Sequence, residues 1–212
     1  MSTRKPVRIS LGSLRNLPNQ LTTLRLLLSV LLFYLIASQY YIASFVMFVI
    51  AAGTDWLDGY FARRLNQVTT LGRILDPFAD KVIVCGTFIF LTTTEGMRAD
   101  WRMLQAWMVV VIVGRELLVT ALRSFLEERG SDFSANLSGK LKMVLQCVAA
   151  GAALIYLHCL QAAVPGVPPP RWVYWFTIIS IWSAVLLTVY SGVLYVWIAW
   201  KILRREHTEQ DN

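Results

Sequence analysis

Four aspartates stand in two pairs within stretches that are otherwise apolar enough to cross a membrane. Asp55 and Asp58 are spaced i, i+3, and Asp76 and Asp80 are spaced i, i+4, so on a helix each pair projects from one face. Carboxylates brought together repel one another until a cation neutralises them, and an all-oxygen ligand set favours Mg²⁺ or Mn²⁺ over zinc. The four aspartates therefore predict a divalent-cation centre.

A purely structural role is the first alternative, because aspartates cap helices and pair with arginines such as Arg63, Arg64 and Arg73 at a membrane edge. That role explains one or two acids better than two helical pairs, and ionisable residues inside spans are functional by default. Transport of a divalent cation is the second alternative. Transporter sites usually lie near the bilayer midplane, whereas these acids are expected at one membrane surface, beside basic residues that would repel a cation.

The aspartates belong to a longer pattern over residues 55–80, DxxDGxxAR followed after eight residues by GxxxDxxxD. Gly59 and Ala62 are small, which would let a ligand or a neighbouring helix come close; ordinary helix packing is a strong alternative for each of them. Arg63 can bind a phosphate through two hydrogen bonds, although a single arginine at a membrane edge is often an anchor. Its spacing from the acids favours the phosphate-binding role.

This pattern is identified as the signature of the CDP-alcohol phosphotransferase family, and it matches at every defined position. The resemblance implies a six-helix membrane homodimer that transfers a phosphatidyl or related group from a CDP-linked donor to an alcohol and releases CMP. It implies two divalent cations, Mg²⁺ or Mn²⁺, on the four aspartates, with Asp80 also the general base, and these roles agree with the chemistry of phosphoryl transfer. It further implies a donor site that includes Asp58, Gly59, Ala62, Arg63 and Gly72.

Basic residues form a second group of candidates, in helices where charge is costly. Arg115 and Arg123 are about two helical turns apart and so share a face, and Lys140 and Lys142 begin the next apolar run. Together they predict a cationic pocket for the acceptor. Anchoring at a positive inner surface is the alternative for Arg123, Lys140 and Lys142. Arg115 and its neighbour Glu116 lie deeper, where anchoring explains them less well.

A wider resemblance, over residues 16–143, narrows the substrates. It rests on NLPN at residues 16–19 with Thr22 and Arg25, on LDPFADK at residues 75–81, and on the basic residues. These features are similar to the family members that join CDP-diacylglycerol and sn-glycerol 3-phosphate into phosphatidylglycerol phosphate and CMP. The resemblance implies donor contacts from Asn19, Thr22 and Arg25, for which helix capping and membrane anchoring are alternatives. Another acceptor, an inositol phosphate or a second phosphatidylglycerol, stays open.

Composition indicates one integral membrane domain: 56% of the 212 residues are hydrophobic, 16% are charged, and the mean hydropathy is +0.54. The expected fold is all-α, with a short interfacial helix at residues 10–15 and six transmembrane helices at residues 21–36, 41–61, 75–94, 103–126, 141–160 and 172–200. A cytoplasmic N-terminal segment (1–20) and a cytoplasmic C-terminal tail (201–212) flank this six-helix domain (21–200). The three cysteines lack the spacing of a zinc site and are expected to be packed thiols.

Lysines and arginines set the expected orientation. All of them except Arg98, Arg102 and Arg171 fall on the side of the two termini, which the positive-inside rule places in the cytoplasm. We therefore expect a bacterial inner membrane protein whose active site faces the cytoplasm. The net charge of +7 is explained by the excess of lysine and arginine on the cytoplasmic side and by affinity for membrane lipids with anionic headgroups. It does not indicate nucleic-acid binding. For the N-terminal segment, the alternative is a signal peptide. For residues 10–15, the alternative to an interfacial helix is a solvated basic tail.

Overall fold

Every secondary-structure element that the structure describes is an α-helix. The structure, a computed structural model, describes residues 17–65, 70–128, 137–163 and 168–210. Side chains are described for most of them, but not for 17–19, 21, 54–77, 80, 126–140, 203 or 205–210. The helices within these ranges are α1 (Leu17–Ala37), α2 (Tyr41–Leu65), α3 (Thr70–Thr93), α4 (Glu95–Arg98), α5 (Ala106–Glu128), α6 (Leu137–Ala162) and α7 (Arg171–Gln210). The predicted all-α class is confirmed for this part of the chain.

Six of these helices are long and coincide with the six predicted apolar segments, with the largest difference at the end of α7, which continues to Gln210. The segment between the predicted helices at residues 75–94 and 103–126 was expected to be a loop at 95–102, and this was wrong for residues 95–98, which form α4. Glu95 in the first turn of α4 and Arg98 in the last turn both suit the helix dipole. The interfacial helix predicted at residues 10–15 lies outside the described residues.

Two helices in the described ranges are long and apolar enough to cross a membrane, at Leu141–Ala162 and Arg171–Ile202. Shorter apolar runs cover Thr22–Ala37, Tyr41–Gly53 and Lys81–Thr93. Outside these runs, α2 and α3 carry the two aspartate pairs, and α5 carries the adjacent charged residues Arg115 and Glu116. Charged residues thus occur within helices of an otherwise apolar bundle, where ionisable residues usually serve a function.

α7 turns large apolar side chains outward along most of its length. Ile179, Leu186 and Val193 are 60%, 63% and 65% exposed. Exposed tryptophans lie towards both ends of this strip, and Trp175 and Trp197 are separated by about 33 Å of helix. That length is close to the roughly 30 Å hydrocarbon core of a bilayer, and tryptophan is enriched at both of its interfaces. The outer face of α7 therefore has the dimensions of a lipid-facing surface.

α6 and α7 form the most extensive helix pair. Small residues let two helices approach closely in a membrane, and α6 carries four buried alanines, Ala149, Ala150, Ala152 and Ala153. The Thr177 hydroxyl lies 3.2 Å from the Ala152 carbonyl oxygen, to which it donates, and Gln146 Nε2 donates to Thr188 Oγ1 at 3.1 Å. α5 and α2 pack on this pair, and α3 lies centrally, against α1, α2, α5 and α6.

Gly86 on α3 lies against the Phe33 ring of α1. A Cβ on Gly86 would lie 2.1 Å from Phe33 Cζ, and the Phe33 ring is stacked on Phe90 with 5.0 Å between centroids, which limits its movement. We expect Gly86→Ala to lower the free energy of unfolding by about 1–3 kcal/mol. Gly53→Ala is the matched control, because a Cβ there meets nothing within 4 Å. Thermal unfolding in detergent compares them; equal melting temperatures would contradict the close α1–α3 contact.

The segment between α4 and α5 is fastened to α7 at the end of the bundle opposite the aspartates. Asp100 accepts hydrogen bonds from the Tyr174 hydroxyl and, at 2.9 Å, from the Arg102 amide. The Trp182 indole donates to the Arg102 carbonyl oxygen at 3.0 Å. The Tyr174 hydrogen bond, with help from the Arg102 amide, holds the pKa of the Asp100 carboxyl below its usual value.

Tyr174→Phe removes the phenolic donor to Asp100 and should lower the melting temperature by about 2–4 °C, equivalent to about 1 kcal/mol. Because the pKa of Asp100 is lower in the folded protein, the carboxylate's contribution is complete above the unfolded pKa of about 3.9 and is lost as the pH falls through the folded pKa. Melting curves of wild type and variant at neutral and strongly acidic pH check this. A difference that grows in acid would contradict the charge-assisted bond.

Candidate active site

α2 and α3 carry the two aspartate pairs near the ends by which the helices are joined. Asp55 and Asp58 lie in about the last three turns of α2, and Asp76 and Asp80 in about the first three turns of α3. Only residues 66–69 connect these ends, so both pairs belong to the same end of the bundle, and both helices pack on α1. The side chains of the four aspartates lie outside the described residues. The same holds for the contacts of Gly59, Ala62, Arg63 and Gly72.

The donor set on these two helix ends fits divalent cations. Four carboxylates at one end of two neighbouring helices supply only hard oxygen ligands, which Mg²⁺ and Mn²⁺ prefer. Among the side chains that the structure describes, no three His, Cys, Asp or Glu residues gather as a metal site. The four aspartates are not among those side chains, so their assignment as metal ligands stays a prediction.

α1 brings a buried threonine and a buried arginine to the helices that carry the aspartates. Thr22 and Arg25 lie about one turn apart and are each 1% exposed, and α1 packs against both α2 and α3. A membrane anchor keeps its charged group in water, so the burial of Arg25 argues against the anchoring alternative. The Asn19 side chain, the third predicted donor contact on this helix, lies outside the described residues.

Arg115 and Lys142 meet around a shared acid, Glu116. Lys142 Nζ donates a hydrogen bond to Glu116 Oε1, and Arg115 Nη1 lies 3.4 Å from the same oxygen. The side chains of Arg115, Glu116 and Lys142 are 9%, 13% and 5% exposed, so the group is almost fully withdrawn from solvent. Two of the four predicted acceptor residues are therefore in one polar cluster between α5 and α6.

Arg123 joins this cluster through Tyr195 of α7. Arg123 Nη2 lies 3.4 Å from the Tyr195 hydroxyl oxygen, and the Tyr195 ring centroid is 5.3 Å from Arg115 Cζ and 6.0 Å from Arg123 Cζ. Arg115 Nη2 also donates to Ser191 Oγ, one turn before Tyr195. We call Arg115, Arg123 and Lys142 the basic cluster; the Lys140 side chain, predicted to belong with them, lies outside the described residues.

Ser191, Tyr195 and the bridging role of Glu116 were missed by reasoning from the sequence. The available signal was the i, i+4 spacing of Ser191 and Tyr195, which places two polar groups on one face of an apolar helix. Both residues are buried, Tyr195 at 2% exposure. A serine and a tyrosine are common in membrane helices, so this signal was weak without the arginines that they contact.

The basic cluster has features of an anion site. Among the described side chains, the three cations are accompanied by one acid, Glu116, which contacts Arg115 and Lys142, while Arg123 joins through Tyr195. The Nε atoms of Arg115 and Arg123 are buried and have no hydrogen-bond partner among the described residues. An unsatisfied buried donor costs about 1–3 kcal/mol, and more when it is charged. A bound phosphate would supply both the missing negative charge and the missing acceptors.

The basic cluster lies beside α3, a short distance beyond the aspartates. Glu116 and Lys142 lie close enough to Cys85 of α3 for their charges to matter there, and Cys85 follows Asp80 by five residues, about 7.5 Å along the helix axis. α3 also packs against both α5 and α6, the helices that carry the cluster. The predicted metal ligands and the basic cluster are thus neighbours along one helix.

Comparison with known proteins gives the same assignment as the motif. The CDP-alcohol phosphatidyltransferase family matches residues 15–190. Relatives named CDP-diacylglycerol–glycerol-3-phosphate 3-phosphatidyltransferase occur in Bacillus subtilis (strain 168), 35% identical over 89% of this chain and 97% of the relative, and in Escherichia coli (strain K12), 36% identical over 85% and 93%. A relative of that name in Pseudomonas fluorescens is 47% identical over 54% of this chain and 58% of the relative.

The extent of these matches decides the family. The matched region begins before α1, includes both aspartate helices and the basic cluster, and ends within α7. Two relatives are covered almost from end to end. The resemblance stated from the DxxDGxxAR…GxxxDxxxD pattern is confirmed, and the chain is an enzyme of the CDP-alcohol phosphatidyltransferase family.

Proposed function

We propose that the chain transfers the phosphatidyl group of CDP-diacylglycerol to sn-glycerol 3-phosphate, giving phosphatidylglycerol phosphate and CMP. The names of its relatives state this donor and acceptor. The observation that carries the choice of acceptor is the buried basic cluster, in which cations outnumber acids among the described side chains. A phosphorylated acceptor needs this charge, whereas serine or a neutral polyol needs less of it.

The reaction is a single displacement at phosphorus. Asp80 accepts the proton of the attacking hydroxyl group. The hydroxyl oxygen bonds to the phosphorus that carries the diacylglycerol, the bond from that phosphorus to the CMP oxygen breaks, and CMP leaves with the electron pair. Two divalent cations, Mg²⁺ or Mn²⁺, held by Asp55, Asp58, Asp76 and Asp80, supply stabilisation of negative charge on the pyrophosphate when bound.

The donor site is formed by α1 and the two aspartate helices. Arg63 neutralises the pyrophosphate through paired hydrogen bonds, while the small residues in the pattern leave room for the nucleotide. The residues assigned to the donor site are Asn19, Thr22, Arg25, Asp58, Gly59, Ala62, Arg63 and Gly72. The burial of Thr22 and Arg25 against α2 and α3 supports the contribution of α1.

The protein lies in a bacterial inner membrane as a six-span homodimer, with the active site at the cytoplasmic surface. The bacterial relatives and the apolar helices support the membrane location. The distribution of lysine and arginine supports the orientation, because most of them fall on the side of the termini. The water-soluble acceptor and CMP then exchange with the cytoplasm while both lipids remain in the bilayer.

Single-cysteine labelling tests this topology in a background that lacks Cys85, Cys147 and Cys159. Cysteines within residues 66–69 or 129–136 should react only after the membrane is permeabilised, because the positive-inside rule places both segments in the cytoplasm. Cysteines in the α1–α2 turn at residues 38–40, or at residues 168–170, should react with an impermeant reagent in intact cells. Labelling of residues 66–69 from outside would overturn the topology and separate the site from its soluble substrate.

Acceptor profiling of the purified enzyme tests the proposed function. CMP release from CDP-diacylglycerol is measured with glycerol 3-phosphate, serine, inositol phosphate or phosphatidylglycerol as the only acceptor, in the presence of Mg²⁺ or Mn²⁺. Rapid release with glycerol 3-phosphate alone supports the proposal. Preference for inositol phosphate or phosphatidylglycerol would identify another member of the family by its acceptor, and metal flux without CMP release would indicate a transporter.

A further inference from the structure

The last transmembrane helix meets the Arg115 side chain at three points. Ser191 Oγ accepts a hydrogen bond from Arg115 Nη2, the Tyr195 ring centroid lies 5.3 Å from Arg115 Cζ, and a Cβ on Gly192 would lie only 3.0 Å from Arg115 Cγ. Ser191, Gly192 and Tyr195 are all buried, and we call them the α7 clamp. The clamp thus contacts Arg115 along its whole side chain, from the aliphatic stem to the guanidinium group.

The α7 clamp also reaches the second arginine of the basic cluster. The Tyr195 hydroxyl oxygen lies 3.4 Å from Arg123 Nη2, and the same ring lies 6.0 Å from Arg123 Cζ. The guanidinium groups of Arg115 and Arg123 carry like charges and repel each other. The buried Tyr195 ring lies beside both groups and attracts each of them, which stabilises a fixed arrangement. Tyr195 therefore sets the relative position of the two guanidinium groups.

A second contact between helices holds the α7 clamp level with Lys142. Gln146 lies one turn beyond Lys142 on α6 and donates to Thr188, which precedes Ser191 by about one turn on α7. α7 also packs along α5, which carries both arginines. α7 is consequently held in a fixed position relative to α5 and α6, the two helices that contribute to the basic cluster.

We propose that the α7 clamp is a positioning element of the acceptor site, an inference that rests on the proposed function. Ser191, Gly192 and Tyr195 hold the guanidinium groups of Arg115 and Arg123 in the orientation that binds the phosphate monoester of the acceptor. An arginine that is already ordered before the acceptor arrives loses less conformational freedom on binding, and this smaller loss increases the affinity. The unpartnered buried Nε atoms of the two arginines among the described residues fit donors held ready for an anion.

Steady-state kinetics of clamp variants tests the proposal. Ser191→Ala removes the acceptor of the Arg115 hydrogen bond, Tyr195→Phe removes the hydroxyl but keeps the ring, and Gly192→Ala presses on the Arg115 stem. Ser191→Ala and Gly192→Ala should each raise the KM for glycerol 3-phosphate about tenfold, and Tyr195→Phe somewhat less because its bond is longer. The KM for CDP-diacylglycerol and the kcat at saturating acceptor should stay at wild-type values.

Two matched controls lie on the same helix outside the clamp. Ser180→Ala removes a buried hydroxyl that, among the described residues, bonds within α7, to the Phe176 carbonyl oxygen at 2.7 Å. Tyr190→Phe makes the same chemical change as Tyr195→Phe at a side chain that is 61% exposed. Neither control should change the KM for either substrate. If Ser180→Ala raises the acceptor KM as much as Ser191→Ala does, the effect is general loosening of α7 and the proposal is overturned.

A double-mutant cycle shows whether Ser191 acts through Arg115. Once Arg115 is alanine, Ser191 has no guanidinium to hold, so Ser191→Ala in that background should add almost nothing to the acceptor KM. Effects that multiply across the two sites would overturn the positioning role. Wild-type acceptor KM in all three clamp variants would also refute the clamp while leaving the proposed function intact, whereas a wild-type enzyme without glycerol-3-phosphate-dependent CMP release would remove both.

Discussion

Asp80→Asn should lower kcat by about a hundredfold to ten-thousandfold, which is the range that a general base contributes. Asp55→Asn, Asp58→Asn and Asp76→Asn should approach the same loss, because each removes a charged ligand from the proposed two-cation centre. A chelator should abolish wild-type turnover, and Mg²⁺ or Mn²⁺ should restore it. CMP release by the purified variants in lipid–detergent micelles measures these effects.

Glu95→Gln is the matched control for the aspartate variants. Glu95 is an exposed acid on α4, at the end of the bundle opposite the aspartates, so its neutralisation should leave turnover at the wild-type value. Unchanged membrane insertion and melting temperature in the four variants would show that the loss is catalytic. Substantial turnover in Asp76→Asn or Asp80→Asn, together with resistance to a chelator, would rule out the two-cation centre.

Arg115→Ala should raise the KM for glycerol 3-phosphate about ten- to a hundredfold, since a hydrogen bond to a charged partner contributes about 1.5–3 kcal/mol. The KM for CDP-diacylglycerol should change little, because the donor residues lie on α1, α2 and α3. Arg115→Lys keeps the charge but loses the planar guanidinium group and should recover only part of the affinity. Equal weakening of both substrates would move Arg115 to the donor side.

Lys142→Ala should weaken the acceptor to a similar extent, but its interpretation needs a stability control. Removing one partner of a buried ion pair costs about 3–5 kcal/mol, and without Lys142 the Glu116 carboxylate keeps only the longer Arg115 contact at 3.4 Å among the described side chains, so the loss of stability should approach that range. Lys142→Ala combined with Glu116→Gln removes both charges and should recover most of the stability. If the acceptor KM returns to the wild-type value in the double variant, Lys142 serves only to neutralise Glu116.

The long helices could be predicted because runs of apolar residues, separated by polar turns, carry most of the information about a membrane fold. Two details could not be obtained that way. α4 is a single turn whose helical bonds begin at the Thr94 carbonyl oxygen, which depends on local geometry. α7 continues from Lys201 to Gln210, where the residues are charged but mostly good helix formers, so the apolar run ends before the helix does.

The residues of the candidate site were also predictable only in part. The aspartates and the basic residues could be proposed from the sequence because charge in an apolar helix is rare and their spacing is regular. The partners on α7 could not, because Ser191 is 76 residues from Arg115 and Tyr195 is 72 residues from Arg123. Their contribution depends on how α7 packs against α5, and a single sequence does not encode that packing as a local pattern.

Labelling the acceptor phosphate shows directly whether the enzyme joins glycerol 3-phosphate to the lipid. Purified enzyme is incubated with CDP-diacylglycerol, Mg²⁺ and glycerol 3-phosphate labelled in its phosphate group, and the lipid phase is compared with the CMP released. We predict that labelled phosphatidylglycerol phosphate and CMP form in equal amounts with the wild type, and that both are almost absent with Asp80→Asn. CMP release without label in the lipid would contradict the proposed acceptor, and labelled lipid formed equally well by Asp80→Asn would contradict the role of Asp80.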